Sequence, residues 1–275
     1  MNLHRPASPA QSASPVLKHE RDKEIAILTL DRSAARNSLS EALLMALSQA
    51  FGEIAADNTV RAVVLAANGP AFCAGHDLKE LTSRRSDADG GRAYFKHIMT
   101  TCSAMMQKIV NLPQPVIAAI QGPASAAGCQ LVASCDLAIA SEAAKFATPG
   151  VDIGLFCSTP MVALSRNVAR KHAMEMLLTG DMVDAERAAA IGLINRVVPP
   201  GEVLKEALAL AHRIASKSSY TLKVGKQAFY RQLELGLAEA YAYASEVMTE
   251  NMMARDANEG ICAFIEKRKP SWEDR

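Results

Sequence analysis

The chain has 275 residues, 49% of them hydrophobic and 21% charged, with a formal net charge of +1. That length suits one large domain or two small ones, and the near balance of charge gives no electrostatic footprint for a nucleic-acid or acidic-lipid partner. The longest apolar stretch, Pro115 to Ala140, is broken by Gln121, Ser125, Gln130 and Asp136, so no membrane span is expected.

The first residues, 1–17, are rich in Pro, Ser and Ala with Arg5 and no acid, and read as a disordered arm. One Arg without an apolar face makes a poor transit peptide. A cytoplasmic location is therefore expected, with the mitochondrion as the alternative in a eukaryote. The six cysteines Cys73, Cys102, Cys129, Cys135, Cys157 and Cys262 are scattered and follow no signal peptide. They are expected to be reduced and mostly buried.

Ile25 to Leu30 and Val60 to Ala67 are short apolar runs that predict buried strands. Between them Ser38 and Glu41 have the spacing of a capping box, ahead of Leu43, Leu44, Leu47, Phe51 and Ile54 on one helical face. A second amphipathic helix carries Phe95, Ile98, Cys102, Met105 and Ile109, after a polar stretch from Ser83 to Gly91 that reads as a mobile loop. Pro115 to Ile120 and Cys135 to Ala140 predict two more strands. From Ser158-Thr159-Pro160, with Pro in the first turn of a helix, the chain reads as helix to its end except at Asn195 to Val198. The pattern is α/β over 18–157 and helical over 158–275. With no repeat and no linker between them, both parts are assigned to one domain, 18–275.

Several chemistries lack their sequence marks. No G-x-G-x-x-G follows a strand, and there is no G-x-x-x-x-G-K-S/T. H-E-x-x-H and C-x-x-C are absent, and the six histidines lie far apart, so no metal site is expected. Ser125 sits in G-P-A-S-A-A-G and not in a nucleophile elbow. The methionines Met248, Met252 and Met253 read as core or interface filler.

Two segments stand out: Ala71-Phe-Cys-Ala-Gly-His-Asp-Leu-Lys-Glu80 and Gly122-Pro-Ala-Ser-Ala-Ala-Gly-Cys-Gln130. Each places small residues just after a predicted buried strand. Without side-chain bulk a backbone N–H can approach a ligand oxygen, and a helix starting there adds unpaired N–H groups and a favourable dipole. Two such turns meeting at one point can form an oxyanion hole. The alternative is that the small residues only allow tight strand-to-helix packing.

These segments resemble the enoyl-CoA hydratase/isomerase, or crotonase, superfamily, and the resemblance runs from about Val16 to the C-terminus. Phe72-Cys-Ala-Gly-His-Asp-Leu-Lys79 is similar to the family's F-x-A-G-x-D-I/L-K signature, and Pro115 to Asp136 to its second signature. Ser141 to Gly154 resembles the F-x-x-P-E-x-x-x-G region. Leu177 to Gly180 with Ala189 to Pro199 resembles the L-T-G and G-L-I/V stretches, and Glu259 to Lys269 the terminal helix. Ala126 to Asp136, Phe146 to Gly150 and Gly154 to Pro160 are most similar to the third enoyl-CoA hydratase domain-containing subgroup.

The resemblance implies an α/β crotonase spiral of ββα turns, a helical C-terminal region that forms trimers, and a homotrimer or homohexamer. It implies an acyl-CoA ligand, with coenzyme A as part of the substrate and no separate cofactor. By motif position the oxyanion hole is the backbone N–H groups of His76 and Ala127. The segment Ala74, Asp77 and Leu78 lies at the CoA site, with Ala74 and Leu78 at the adenine and Lys79 near the phosphates. Phe264 and Lys267 match positions that reach the CoA of a neighbouring subunit.

The chain departs from the family where its hydratases carry two glutamates. The first position is Gln130 and the second is Gly150. A glutamine amide does not exchange protons near neutrality and glycine has no side chain, so efficient hydration is expected to be lost. The aspartate that some related isomerases use falls at Ser158, and Asp152 matches a structural position. His76 is the one titratable side chain beside the expected hole; either its imidazole acts or only its backbone does. Cys129 has nothing basic near it in sequence and reads as an inert thiol. Three readings follow. One is enolate-stabilising chemistry such as decarboxylation of a malonyl-type thioester, found in a family branch that also has His after Ala-Gly. The others are a non-catalytic acyl-CoA binder and a weak hydratase or isomerase of fatty-acid metabolism.

Overall fold

The computed structural model describes residues 15–275; most of the predicted disordered arm lies outside the described residues. In chain order it runs β1 (Leu17–Asp22), β2 (Ile25–Leu30), α1 (Glu41–Ala56), β3 (Ala62–Ala67), α2 (Leu78–Ser83), α3 (Arg92–Asn111) and β4 (Val116–Ile120). There follow β5 (Ala124–Ser125), α4 (Ala127–Ser134), β6 (Leu137–Ser141), β7 (Lys145–Ala147), α5 (Pro160–Asn167), α6 (Arg170–Thr179), β8 (Val183–Asp184) and α7 (Ala185–Ala190). The chain closes with β9 (Arg196–Val198), α8 (Val203–Ala215), α9 (Ser219–Gln232), α10 (Leu237–Met253) and α11 (Arg255–Ile265).

The main sheet has the order β1-β2-β3-β4-β6-β9, parallel except for the β1–β2 hairpin. Parallel strands buried on both faces read as continuous apolar runs, which is why β2, β3, β4 and β6 were legible. Their side chains alternate between two cores. Leu28, Val63, Leu65, Val116 and Ala118 face the larger core with α1, α3 and α4. Ile25, Ala62, Val64, Ile117 and Ile139 face the smaller one, where Val203, Ala207, Ala211 and Ala215 of α8 close the sheet. Alanines at four-residue spacing let α8 lie close to the strands.

Sequence and structure differ at several points. Edge strand β1, Leu-Lys-His-Glu-Arg-Asp, was missed because a charged, mostly exposed edge carries no apolar run; it also takes in Leu17, assigned above to the arm. β5, β7 and β8 span two or three residues each and pair in a second small sheet. The cap of α1 is Ser40, whose side chain accepts from Leu43 N, and not Ser38, which instead turns to Asp77. Residues after Ser83 form a helical turn at Arg84–Ser86 and not an irregular loop. Arg84 and Arg85 stack on Tyr94 and Phe95, and Asp89 accepts from Ala93 N at the start of α3. Cys135 ends α4 and does not open β6. All six cysteines are free, and five of them are buried.

The last three helices, α9 to α11, bury almost nothing, and α9 is anchored by polar contacts. Lys226 of α9 reaches Asp136 Oδ2 at 2.7 Å and donates to the carbonyls of Ile109 and Gln114, both at 3.0 Å. The same carboxylate accepts from Tyr230 Oη at 2.9 Å and from Val116 N at 2.7 Å. A buried pair so fully bonded avoids the cost of an unpartnered charge and ties α9 to the start of β4 and the end of α4. Burial pushes the Lys226 ammonium down, against the pull of Asp136.

On α8, His212 bonds Asp22 at 2.8 Å and lies 3.4 Å from Glu24, both on the β1–β2 hairpin. The hydrogen bond to Asp22 raises the imidazole pKa, with burial opposing it and Glu24 adding to it. A raised pKa in the folded state stabilises fully below the unfolded value of about 6.5 and is lost as pH rises through the folded value. His212→Gln is therefore expected to destabilise by up to about 1 kcal/mol near pH 6 and to be almost neutral near pH 9, measured by urea denaturation at both pH values.

Candidate active site

The site is built where β3 and β4, neighbours in the sheet, end in the two small-residue turns. Cys73 forms a parallel bridge with Ala124, and Ser125 N donates to Cys73 O at 2.9 Å. Gly128, in the first turn of α4, lies against Cys73: a Cβ there would overlap the Cys73 carbonyl oxygen and stand 2.9 Å from Cys73 Cβ. Gly75 has a left-handed φ of 93°, and a Cβ on it would meet Ala126 Cβ at 3.0 Å and Ala127 N at 3.4 Å. The two turns therefore meet in space, and they do so because neither has side-chain bulk at the contact.

Two backbone donors are left free at this junction. Leu39 N donates to Gly75 O at 2.7 Å and Asp77 N to Leu39 O at 3.3 Å, so Leu39 bridges the residues on either side of His76. A parallel bridge of this kind turns the intervening His76 N–H to the other side. Ala127 opens α4, where the first N–H groups have no helical acceptor. Among the described residues neither N–H has a hydrogen-bond acceptor. The preceding Ala126 has φ 50° and ψ −117°, a conformation that costs an L-residue about 1–3 kcal/mol and that clusters at functional sites.

The side chains that flank the two free donors include His76 and Gln130. The imidazole nitrogens of His76 and the Gln130 Oε1 are buried without partners. Burial pushes the His76 pKa below its ordinary value, outweighing the opposing pull of the Leu39 backbone, and so favours the neutral ring. Burial pushes the Cys129 thiol up to about 12, as expected of an inert thiol. Gly150 is buried in the turn Pro149–Ile153, and a Cβ on it would stand 2.9 Å from both Leu155 O and Cys157 Sγ. The segment after it fills the space that a glutamate side chain would need. Asp152 is exposed, with its carboxylate beside Gly180 at the end of α6; Ser158 is exposed, and its hydroxyl donates to Phe156 O.

Ala74, Leu78 and Lys79 are exposed on the first turn and the start of α2. Asp77, grouped with them by sequence, is occupied otherwise. Its carboxylate caps α2 through Lys79 N and Glu80 N, and takes Arg32 at 3.0 Å and Ser38 at 3.2 Å. Burial raises its pKa, but the Arg32 and backbone bonds outweigh this and hold it low. Phe264 and Lys267 lie on and just after α11, which packs on α9 and α10. Sequence reasoning missed Asn37, which is fully buried and donates to Asn68 O and Ala71 O, both at 2.8 Å. It holds the first turn in place; a lone Asn in a polar stretch gave no signal of that.

The main parallel sheet, the paired turns at the ends of β3 and β4 and the helical C-terminal region together define an α/β fold whose neighbours are known. The sequence model of the enoyl-CoA hydratase/isomerase family matches residues 20–275. Human enoyl-CoA hydratase domain-containing protein 3, mitochondrial, is 47% identical over 245 residues, covering 89% of this chain and 79% of its own. A crystal structure of that human protein superposes with a TM-score of 0.89 at 46% identity, covering 94% of this chain and 100% of the other. An enoyl-CoA hydratase structure from Mycobacterium smegmatis gives a TM-score of 0.89 at 51% identity, covering 94% and 99%. The chain belongs to the enoyl-CoA hydratase/isomerase family and has the crotonase fold.

Gly128→Ala is expected to destabilise the protein by several kcal/mol, at or above the usual overpacking cost of about 1–3 kcal/mol, since the clash is with backbone. Thermal denaturation against the wild type measures it; an unchanged Tm would contradict the contact.

Proposed function

We propose that this chain binds acyl-CoA thioesters through an oxyanion hole formed by the backbone N–H groups of His76 and Ala127, and that it stabilises an enolate without efficient hydration. The observation that carries the reading is the meeting of the two turns at Gly75 and Ala126–Ala127, which leaves both donors free. Such donors act on charge that develops in the transition state and are commonly worth about 3 kcal/mol each. Ala74, Leu78 and Lys79 are assigned to the CoA moiety; Asp77 shapes that turn from behind. No cofactor beyond the CoA of the substrate is required.

Hydration needs a base for water and an acid for the α-carbon. Gln130 and Gly150 supply neither, and the His76 ring is the titratable side chain beside the two free donors. A reaction that needs no proton abstraction suits this site. In a malonyl-type thioester the bond to the carboxylate breaks, carbon dioxide leaves, the electron pair moves into the enolate at the hole, and water returns a proton to carbon. A second reading, a binder without turnover, is favoured by the same lack of a carboxylate. The exposed apolar residues of α10, Leu237, Tyr241, Met248 and Met252, support assembly as a homotrimer or homohexamer. The human relative is described as mitochondrial; for this chain we propose a cytoplasmic site, or that organelle in a eukaryote.

Crotonyl-CoA is expected to bind without forming 3-hydroxybutyryl-CoA at the rate of a hydratase, as followed by chromatography, and Lys79→Ala is expected to bind it several-fold more weakly. Rapid hydration by the wild type would refute the reading. Gln130→Glu is expected to raise hydration by about a hundredfold or more, a single acid–base group's effect. Adding Gly150→Glu is expected to lower the yield of folded protein, because its side chain collides with Leu155 and Cys157.

A further inference from the structure

Helices α9 and α10 bury no residue, and α11 buries only Asp256 and Ala263. Little apolar packing therefore fixes α11, whose Phe264 and Ile265 are exposed. The segment after it turns back along the helix and is bonded to it at almost every residue. Ser271 N donates to Glu259 Oε1 at 2.8 Å, Glu273 N to Asp256 Oδ1 at 2.8 Å, and Asp274 N to Asp256 Oδ2 at 2.9 Å. Arg268 holds the Glu259 carboxylate through two nitrogens, and Arg255 pairs with Glu273 at 3.0 Å. Arg268 and Ser271 lower the Glu259 pKa to about 2.

The other side of the segment is bonded to the α/β core. Trp272 donates from Nε1 to Ser216 O at 2.9 Å, and its ring lies on Gly260, where a Cβ would stand 3.2 Å from it. Asp274 takes both terminal nitrogens of Arg61, just before β3, at 2.9 and 3.0 Å, and accepts from Ser219 N at 2.8 Å. A chain segment bonded on one face to a helix and on the other to the core transmits the position of one to the other. Asp256 is 2% exposed and its two oxygens accept from this segment's N–H groups, so its charge depends on them for solvation.

We propose that residues 271–274 are a strap that fixes α11 on the core and so presets the position from which Phe264 meets the acyl-CoA of a neighbouring subunit; the second half of this rests on the proposed function and on the family resemblance that assigns Phe264 to that CoA. Preorganisation spares the ordering cost at binding. Release of the strap then loosens α11 and weakens binding while the core stays folded.

Hydrogen exchange read by mass spectrometry on the full chain tests it with two variants. In Asp256→Ala, amides of 255–268 are expected to exchange about tenfold faster or more, the loss for a charged hydrogen bond, with β2 to β4 and α8 unchanged. Trp272→Phe, which keeps a ring on Gly260 and loses one bond to Ser216, is expected to give a smaller rise in the same amides. Unchanged exchange over 255–268 in both variants overturns the strap, and so does acceleration throughout the core in Trp272→Phe. Crotonyl-CoA affinity, by calorimetry, is expected to fall about fivefold or more in Asp256→Ala. A loosened α11 with wild-type affinity overturns the presetting. Failure of the wild type to bind crotonyl-CoA refutes the proposed function instead, and leaves the exchange result to decide the strap.

Discussion

Gly128 sits where a methyl group would overlap the carbonyl of Cys73, and Gly75 sits where one would press on Ala126. The rest of the site depends on that close approach of two backbones. β3 and β4 are neighbours in a parallel sheet, so the turns that follow them leave the same sheet end. The Cys73–Ala124 bridge and the Ser125 bond then set their separation. With the turns in register, Leu39 occupies the backbone groups flanking His76, and the helix start leaves Ala127 N–H unbonded. The geometry of two free donors is thus a product of sheet order and missing side chains together.

What surrounds those donors limits the chemistry more than the donors do. The carboxylates of the first turn are bonded elsewhere: Asp77 to Arg32, Ser38 and the start of α2, and Glu80 to Glu41 N. The backbone of Leu155 and the sulfur of Cys157 occupy the side-chain space at Gly150.

The C-terminal helices present a different balance of forces. The α/β core is held by two apolar faces of one sheet, whereas α9 is pinned by the Lys226–Asp136–Tyr230 group and α11 by carboxylates bonded to backbone. Polar anchors fix direction better than apolar contact does, because hydrogen bonds weaken steeply with angle. They also leave apolar residues of α10 and α11 facing outward.

The sequence alone determined the buried strands, through apolar runs that only a two-sided parallel sheet requires, and the paired turns, through small residues where a helix follows a strand. Tertiary structure decided what depends on neighbours distant in the chain: that Ser40 and not Ser38 caps α1, that Asp77 faces Arg32 and not solvent, that Asn37 ties down the first turn, and that β1 pairs despite its charged residues. Short-range periodicity records which face a segment buries. It holds no record of which polar partner, 30 to 200 positions away, will meet a given hydrogen-bonding group.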